Sequence, residues 1–271
     1  MLNFISTPIG NLNDISLRAI DVIRTADYLY AEDTRNVKKL LDFINCKKKC
    51  KSFHEHNEDK VSLEIIKHAK DQKNISIVSD AGTPAISDPG YKLIRECVEQ
   101  GIPYTLIPGP SSVISGLVMS GLPTNQFSFF GFIPKKSNEQ AKCFENLKYE
   151  NKTAIFFDSP KRLEKTISNL LKFLNSNRRI SICKEMTKLH EEVISDKLSN
   201  ILDKIKEEKI HLKGEIVIVI EGAQNIKTNL KIDSKIKKEF LKRLPASESA
   251  KLISLITKQN KRDIYKFLIE T

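Results

Sequence analysis

Residues 74–90 read Asn-Ile-Ser-Ile-Val-Ser-Asp80-Ala-Gly82-Thr83-Pro84-Ala-Ile-Ser-Asp88-Pro89-Gly90. Ile75, Ile77 and Val78 form an apolar β-branched run that reads as a buried parallel strand. It ends at Asp80, where a glycine and two prolines forbid a continued strand or an early helix. A carboxylate there is either an Asx turn serving nearby N–H groups or a group facing the ligand crevice at the carboxyl ends of an open α/β sheet. Other predicted strand ends carry chemistry of the same kind: Thr7-Pro8-Ile9-Gly10, Glu32-Asp33-Thr34-Arg35, His54-Glu55-His56-Asn57 and Pro108-Gly109-Pro110-Ser111-Ser112. A later strand ends in Lys184-Glu185-Met186-Thr187-Lys188. Glu32, Asp33, His54 and Glu185 are the candidate proton acceptors, and their types alone do not choose among them. His54 has a suitable ordinary pKa, although a single histidine is more often structural.

Positioning these groups requires strands that all end on one side. Strands are expected at 2–6, 28–31, 50–53, 75–78 and 104–107. Helices fill the gaps, the first running to Ala26 from a cap at Asp14 or Ser16 and the last over 112–120. Five β-α repeats imply a parallel sheet covered on both faces. Turn-forming and charged residues crowd one end of every strand while the other ends are bland, and that asymmetry marks a crevice.

Beyond Gly121 the chain yields further strands at 127–132, 153–157, 179–183, 191–195 and 216–220, with helices to about Phe173 and over 197–207. A second sheet of mixed direction is expected. The tail holds helical patterns at 235–243, from Ser247 (as N-cap) to Thr257, and from Asn260 to Leu268, spaced like a small helix-turn-helix module. The fold class is therefore α/β: a parallel five-stranded sheet over 1–122, a mixed second sheet over 123–226, and a basic helical module over 227–271.

The chain carries a net charge of +11, of which an excess of 7 falls in residues 227–271, with 12 Lys/Arg against 5 Asp/Glu. A basic tail suits a polyanion such as RNA. No apolar run reaches membrane-spanning length and the N-terminus lacks signal-peptide character, so a cytoplasmic protein is expected. The five cysteines lack metal-ligand spacing, and no metal is expected. Dinucleotide-binding, P-loop and Gly-x-Ser-x-Gly motifs are missing. Small residues, backbone groups, hydroxyls and carboxylates suit a ligand without phosphates, such as a cationic sulfonium beside a carboxylate.

Ser6-Thr-Pro-Ile-Gly-Asn-Leu12, Ala31-Glu-Asp-Thr-Arg35, His54-Glu-His-Asn-Glu58, Val78-Ser-Asp-Ala-Gly-Thr-Pro84, Ser87-Asp-Pro-Gly90 and Pro108-Gly-Pro110 closely resemble the bacterial enzymes that 2'-O-methylate a cytidine ribose of 16S rRNA. These are a branch of the tetrapyrrole (corrin/porphyrin) methylase superfamily. The resemblance extends through Lys213-Gly-Glu215 into the tail, while the family's Ser-Thr-His-Arg-like segment reads Asp158-Ser-Pro-Lys-Arg162 here. It implies S-adenosylmethionine (SAM) between two α/β domains, usually in a homodimer, acting on the decoding region of the small ribosomal subunit. It implies SAM contacts at Pro8, Ile9, Asp80, Gly82, Thr83, Ser111, Ser112, Phe157, Met186, Lys213 and Gly214. Arg35, Arg162 and Lys188 would hold RNA phosphates. A tetrapyrrole methylase and a non-enzymatic RNA-binding protein on a methylase scaffold are the alternatives.

Overall fold

The computed structural model describes residues 1–207, 213–224, 234–257 and 259–269. Residues 1–222 form one compact unit containing both sheets, and 223–271 form a second. In the first sheet, β1 (Leu2–Ile5), β2 (Tyr28–Ala31), β3 (Cys50–Ser52), β4 (Ile75–Val78) and β5 (Tyr104–Ile107) are all parallel, in the order β3-β2-β4-β1-β5. They are linked by α1 (Leu17–Thr25), α2 (Thr34–Phe43), α3 (Glu58–Lys70) and α4 (Tyr91–Glu99), and α5 (Ser112–Met119) follows β5. Ser16, not Asp14, caps α1: its side chain accepts the Ala19 N–H, while Asp14 closes a preceding 3-10 turn.

Strand alternation explains the layering. Leu29 and Ala31 pack with Ala19, Ile23, Leu40 and Leu41 of α1 and α2, while Tyr30 packs oppositely with Ile65 and Leu93 of α3 and α4. Both faces of the parallel sheet are thus covered by helices.

The second sheet has the order β6-β7-β10-β8-β9, from β6 (Phe127–Phe132), β7 (Thr153–Asp158), β8 (Arg179–Lys184), β9 (Glu192–Lys197) and β10 (Ile216–Ile220). Only β6 and β7 run parallel; the other pairs are antiparallel. β9 begins later and reaches further than the expected 191–195, because its ladder with β8 continues to Arg179 opposite Lys197. α6 (Ser137–Leu147), α7 (Leu163–Leu170) and α8 (Leu198–Lys206) cover one face. Ile216, Ile218 and Ile220 point to that face, and Val217 and Val219 to the other, where Val113 and Leu117 of α5 meet them. A Cβ on Gly116 would lie 2.8 Å from Val217 Cγ1, so α5 approaches β10 because position 116 has no side chain. The sheets assigned to 1–122 and 123–226 thus share a core within a single unit.

In the tail unit, α9 (Ser234–Leu241), α10 (Ala246–Thr257) and α11 (Lys261–Ile269) are present, and Ala250, Ile253, Ile264 and Leu268 form its small core. Asn260 caps α11, its Oδ1 accepting the Arg262 N–H at 2.8 Å. Ser247 is not the cap of α10 but lies in its first turn, because the Pro245 carbonyl already accepts the Ser249 N–H.

Candidate active site

The carboxyl ends of the parallel strands are tied to one another. Thr7 and Gly82 exchange backbone hydrogen bonds at 2.9 and 3.0 Å, and the Ser6 and Thr83 hydroxyls lie 3.1 Å apart. Asp80 reaches across to β2: its Oδ1 accepts the Asp33 N–H at 3.0 Å and its Oδ2 accepts Asn36 Nδ2 at 2.9 Å. The Asp80 carboxylate therefore holds the start of α2. Ala85 and Ser87 on the same loop adopt left-handed φ of 67° and 64°, at a cost of roughly 1–2 kcal/mol each. Such strain persists where surrounding contacts over-determine it, a condition common at ligand sites. Here the Glu58 carboxylate accepts the Gly90 N–H at 2.9 Å and anchors the loop's far end.

The facing wall comes from the second sheet. Glu185 and Thr187 also adopt left-handed φ, at 49° and 67°. Glu185 Oε1 accepts Lys188 Nζ at 3.0 Å and the Glu215 N–H at 2.7 Å. Gly214, at φ +84°, permits this: a Cβ there would sit 2.2 Å from Glu185 Cδ. Asn11 N donates to Thr187 Oγ1 at 3.1 Å, joining the first-strand loop to this wall.

Between the walls is a cleft of about 400 Å3, a size suited to a small-molecule ligand. Ile9, Phe132, Phe157, Met186 and Val217 give it apolar surface, and Glu32, Asp80 and Asp88 give one side a cluster of carboxylates. Burial, then the Asp80 charge, raise the Glu32 pKa, partly offset by the Asp80 backbone N–H. Asp88 is pushed up to about 7, first by burial and then by the Glu32 charge, against the pull of the Ser79 hydroxyl.

The structure brings Ile9, Glu32, Asp80, Ser112, Phe157, Met186 and Gly214 of the expected site into this cleft. Pro8, Gly82 and Thr83 lie behind it in the interlocked loops, and Ser111 caps α5, its Oγ accepting the Ile114 N–H at 3.5 Å. Lys213 and Glu185 border a second cleft of about 670 Å3 that shares Gly214 with the first. Asp33 is bound by Arg35, which holds its carboxyl down at about 2. His54 is absent from the lining, though near enough to Glu32 to lower its pKa, and its buried Nδ1 has no hydrogen-bond partner among the described residues.

Of the three residues expected to hold RNA phosphates, only Arg35 is largely exposed, at 88%, with its guanidinium bound to Asp33. Arg162 donates from Nη2 to the Ile133 and Pro134 carbonyls at 3.0 and 3.1 Å, and its Nε lies 3.4 Å from the buried Asp158 carboxylate. It clamps the β6–α6 connection. Lys188 Nζ is held between Glu185 and Glu215, 3.0 Å from each.

Asp88, Phe132 and Glu215 line the cleft without having been singled out as site residues. Asp88 was detectable as the second aspartate of the same Gly/Pro-rich loop as Asp80, whereas nothing local marks Phe132 among the phenylalanines of β6. Among the described residues, no three His, Cys, Asp or Glu side chains group as a metal site, and no helix is long and apolar enough to cross a membrane.

Residues 1–202 match the family model for tetrapyrrole (corrin/porphyrin) methylases. The chain is 41% identical over 223 residues to the ribosomal RNA small subunit methyltransferase I of Thermotoga maritima, covering 82% of this chain and 99% of that one. It is 35% identical over 272 residues to the protein of the same name from Vibrio cholerae, covering all of this chain and 94% of that one. The chain belongs to the ribosomal RNA small subunit methyltransferase I family of tetrapyrrole methylases. Its fold is also that of a diphthine synthase (TM-score 0.60, 17% identity, 81% of this chain and 89% of that one). A cobalt precorrin-4 methyltransferase is similar too (TM-score 0.58, 13% identity, 81% and 94%).

The family's methyl donor, and the cofactor of this chain, is SAM. The cleft suits it: apolar side chains can cover an adenosine, and Glu32 and Asp88, without ion-pair partners among the described residues, give the cleft negative charge that a sulfonium can offset.

Proposed function

We propose that the protein transfers a methyl group from SAM to the ribose 2'-oxygen of a cytidine in the decoding region of 16S rRNA, acting on the assembled small subunit. The observation that carries this reading is the full-length similarity to proteins named ribosomal RNA small subunit methyltransferase I, joined to a cleft where Glu32 keeps a carboxylate with a raised pKa.

Ile9, Asp80, Ser112, Phe157, Met186 and Gly214 would hold the cofactor. When bound, SAM supplies an electrophilic methyl group on a positively charged sulfur. The chain's own residues then have three tasks. The interlocked loops at Thr7/Gly82 and Asp80/Asp33 hold the walls rigid, so that a docked ribose is aligned for in-line attack. Phe132 and Phe157 give the cleft an apolar wall for the sugar and adenosine to pack against. Glu32 accepts the 2'-hydroxyl proton at a carboxylate oxygen. Its raised pKa makes it a better base near neutrality, and such a base contributes roughly 10²–10⁴-fold in rate. Asp33 and Glu185, held by Arg35 and by Lys188, are poorer acceptors.

Arg35 and the basic helices of 227–271 would engage RNA phosphates. We take the enzyme to work as a cytoplasmic homodimer. The test is methyl transfer from labelled SAM to small subunits from cells lacking the protein, with digestion to nucleosides. Label in 2'-O-methylcytidine is expected; SAM binding without labelled subunits would redirect attention to tetrapyrrole substrates.

A further inference from the structure

The cleft holds more negative charge on one side than its own cations balance. Glu32 comes from the end of β2, Asp80 from the end of β4, and Asp88 from the loop leading into α4. Both Asp80 oxygens are occupied by Asp33 N–H and Asn36. Among the described residues, neither Glu32 nor Asp88 forms an ion pair.

The surrounding charged groups are accounted for. Arg35 is bound to Asp33, Lys92 of α4 to Asp59, and Arg95 of α4 to Glu99. The Glu58 carboxylate of α3 accepts the N–H of Gly90, two residues beyond Asp88. His54 lies near Glu32 outside the lining. On the facing wall Asp158 is bound by Arg162 and Thr166, Glu185 and Glu215 by Lys188, and Lys213 is exposed.

We propose that Asp88 reads the charge on the ligand's sulfur, so that the cleft separates the sulfonium methyl donor from its neutral thioether product by exchanging a proton for that positive charge. The inference rests on reading this cleft as the SAM site. Glu32 and Asp88 line the same cleft partly out of water and without ion-pair partners among the described residues, so ionising the second is opposed by the charge of the first, which favours keeping a proton there. A cation entering beside them removes that obstacle, and the proton leaves to solvent. The methyl transfer removes the cation and liberates one proton, the one that bonded the 2'-oxygen. The Glu32–Asp88 pair is left to keep that proton, which balances the reaction inside the cleft and weakens its hold on the product relative to the donor. The raised pKa of Asp88 agrees with this arrangement.

Calorimetry on the full chain tests it, with SAM and S-adenosylhomocysteine each titrated from pH 5.5 to 8.5 in buffers of different ionisation heat. The sulfonium lowers the pKa of SAM's own amino group relative to that of the thioether, so the amino titration of each free ligand is measured separately and subtracted. SAM is expected to release up to one proton more than the thioether near pH 7. Its affinity advantage should grow about tenfold or more across the range, since one unit of pKa shift corresponds to tenfold in affinity. In Asp88→Asn the extra proton release should vanish and the ratio become flat, with thioether affinity kept.

Equal proton release for both ligands in the unaltered chain overturns the proposal without need of any variant. So does an Asp88→Asn protein that keeps the pH-dependent ratio, or that loses both ligands equally. Ser112→Trp, in the cleft wall, tests the underlying reading separately. If it binds both ligands as the unaltered chain does, the cleft is not the SAM site.

Discussion

The Glu58 carboxylate, buried at the start of α3, accepts the backbone N–H of Gly90 at 2.9 Å. This bond joins the end of the His54-Glu-His-Asn-Glu58 motif to the loop that carries Asp88. Glu58→Ala leaves a buried N–H unsatisfied, which costs about 1–3 kcal/mol. Chemical denaturation should show a loss of that size, and SAM affinity should fall because Asp88 is no longer held in place. Glu58→Gln, which keeps an acceptor oxygen, should recover most of both.

Asp80 serves two elements at once, lining the cleft while binding Asp33 and Asn36. Asp80→Ala should abolish measurable SAM binding in calorimetry while thermal unfolding stays cooperative. Normal SAM binding by this variant would make the loop a structural turn only.

Gly214→Ala meets two obstacles, a φ of +84° and a Cβ 2.2 Å from Glu185 Cδ. Glu185 must move off the Glu215 N–H, and the wall shared by the two clefts shifts with it. A stability loss of about 1–3 kcal/mol is expected, with a fall in SAM affinity, measured by thermal unfolding and calorimetry.

Asp88 gives the fold a pH dependence of definite sign. Its folded pKa, about 7, lies above the ordinary aspartate value. The protonated form is favoured by the fold, so this contribution to stability is fully present below the unfolded pKa near 4 and is lost as pH rises through about 7. Asp88→Asn should therefore raise the unfolding temperature more at pH 8 than at pH 5. Equal effects at both pH values would place Asp88 in water.

Removal of residues 227–271 takes away 12 Lys/Arg from the chain. Affinity for small subunits should fall and its salt dependence should flatten, while SAM affinity changes little. Equal loss of both would make the tail a stability element.

Much of this site was legible as sequence because its signals are local. β-α alternation, apolar strand runs and the Gly/Pro turns after Val78 and Ile107 depend on a few adjacent residues, and all five parallel strands followed from them. So did the concentration of chemistry at one end of the sheet. Tertiary structure decided which of those groups remain available. Glu32, Asp33 and Glu185 are all carboxylates in the sequence. The fold binds Asp33 to Arg35 and Glu185 to Lys188 and Glu215, and leaves Glu32 beside Asp88 in the cleft. Arg162 becomes a clamp because two carbonyls of the β6–α6 connection converge on it. Periodicity and turn chemistry are properties of the chain, whereas the partner and the pKa of a carboxylate come from groups far along the sequence that only folding brings near.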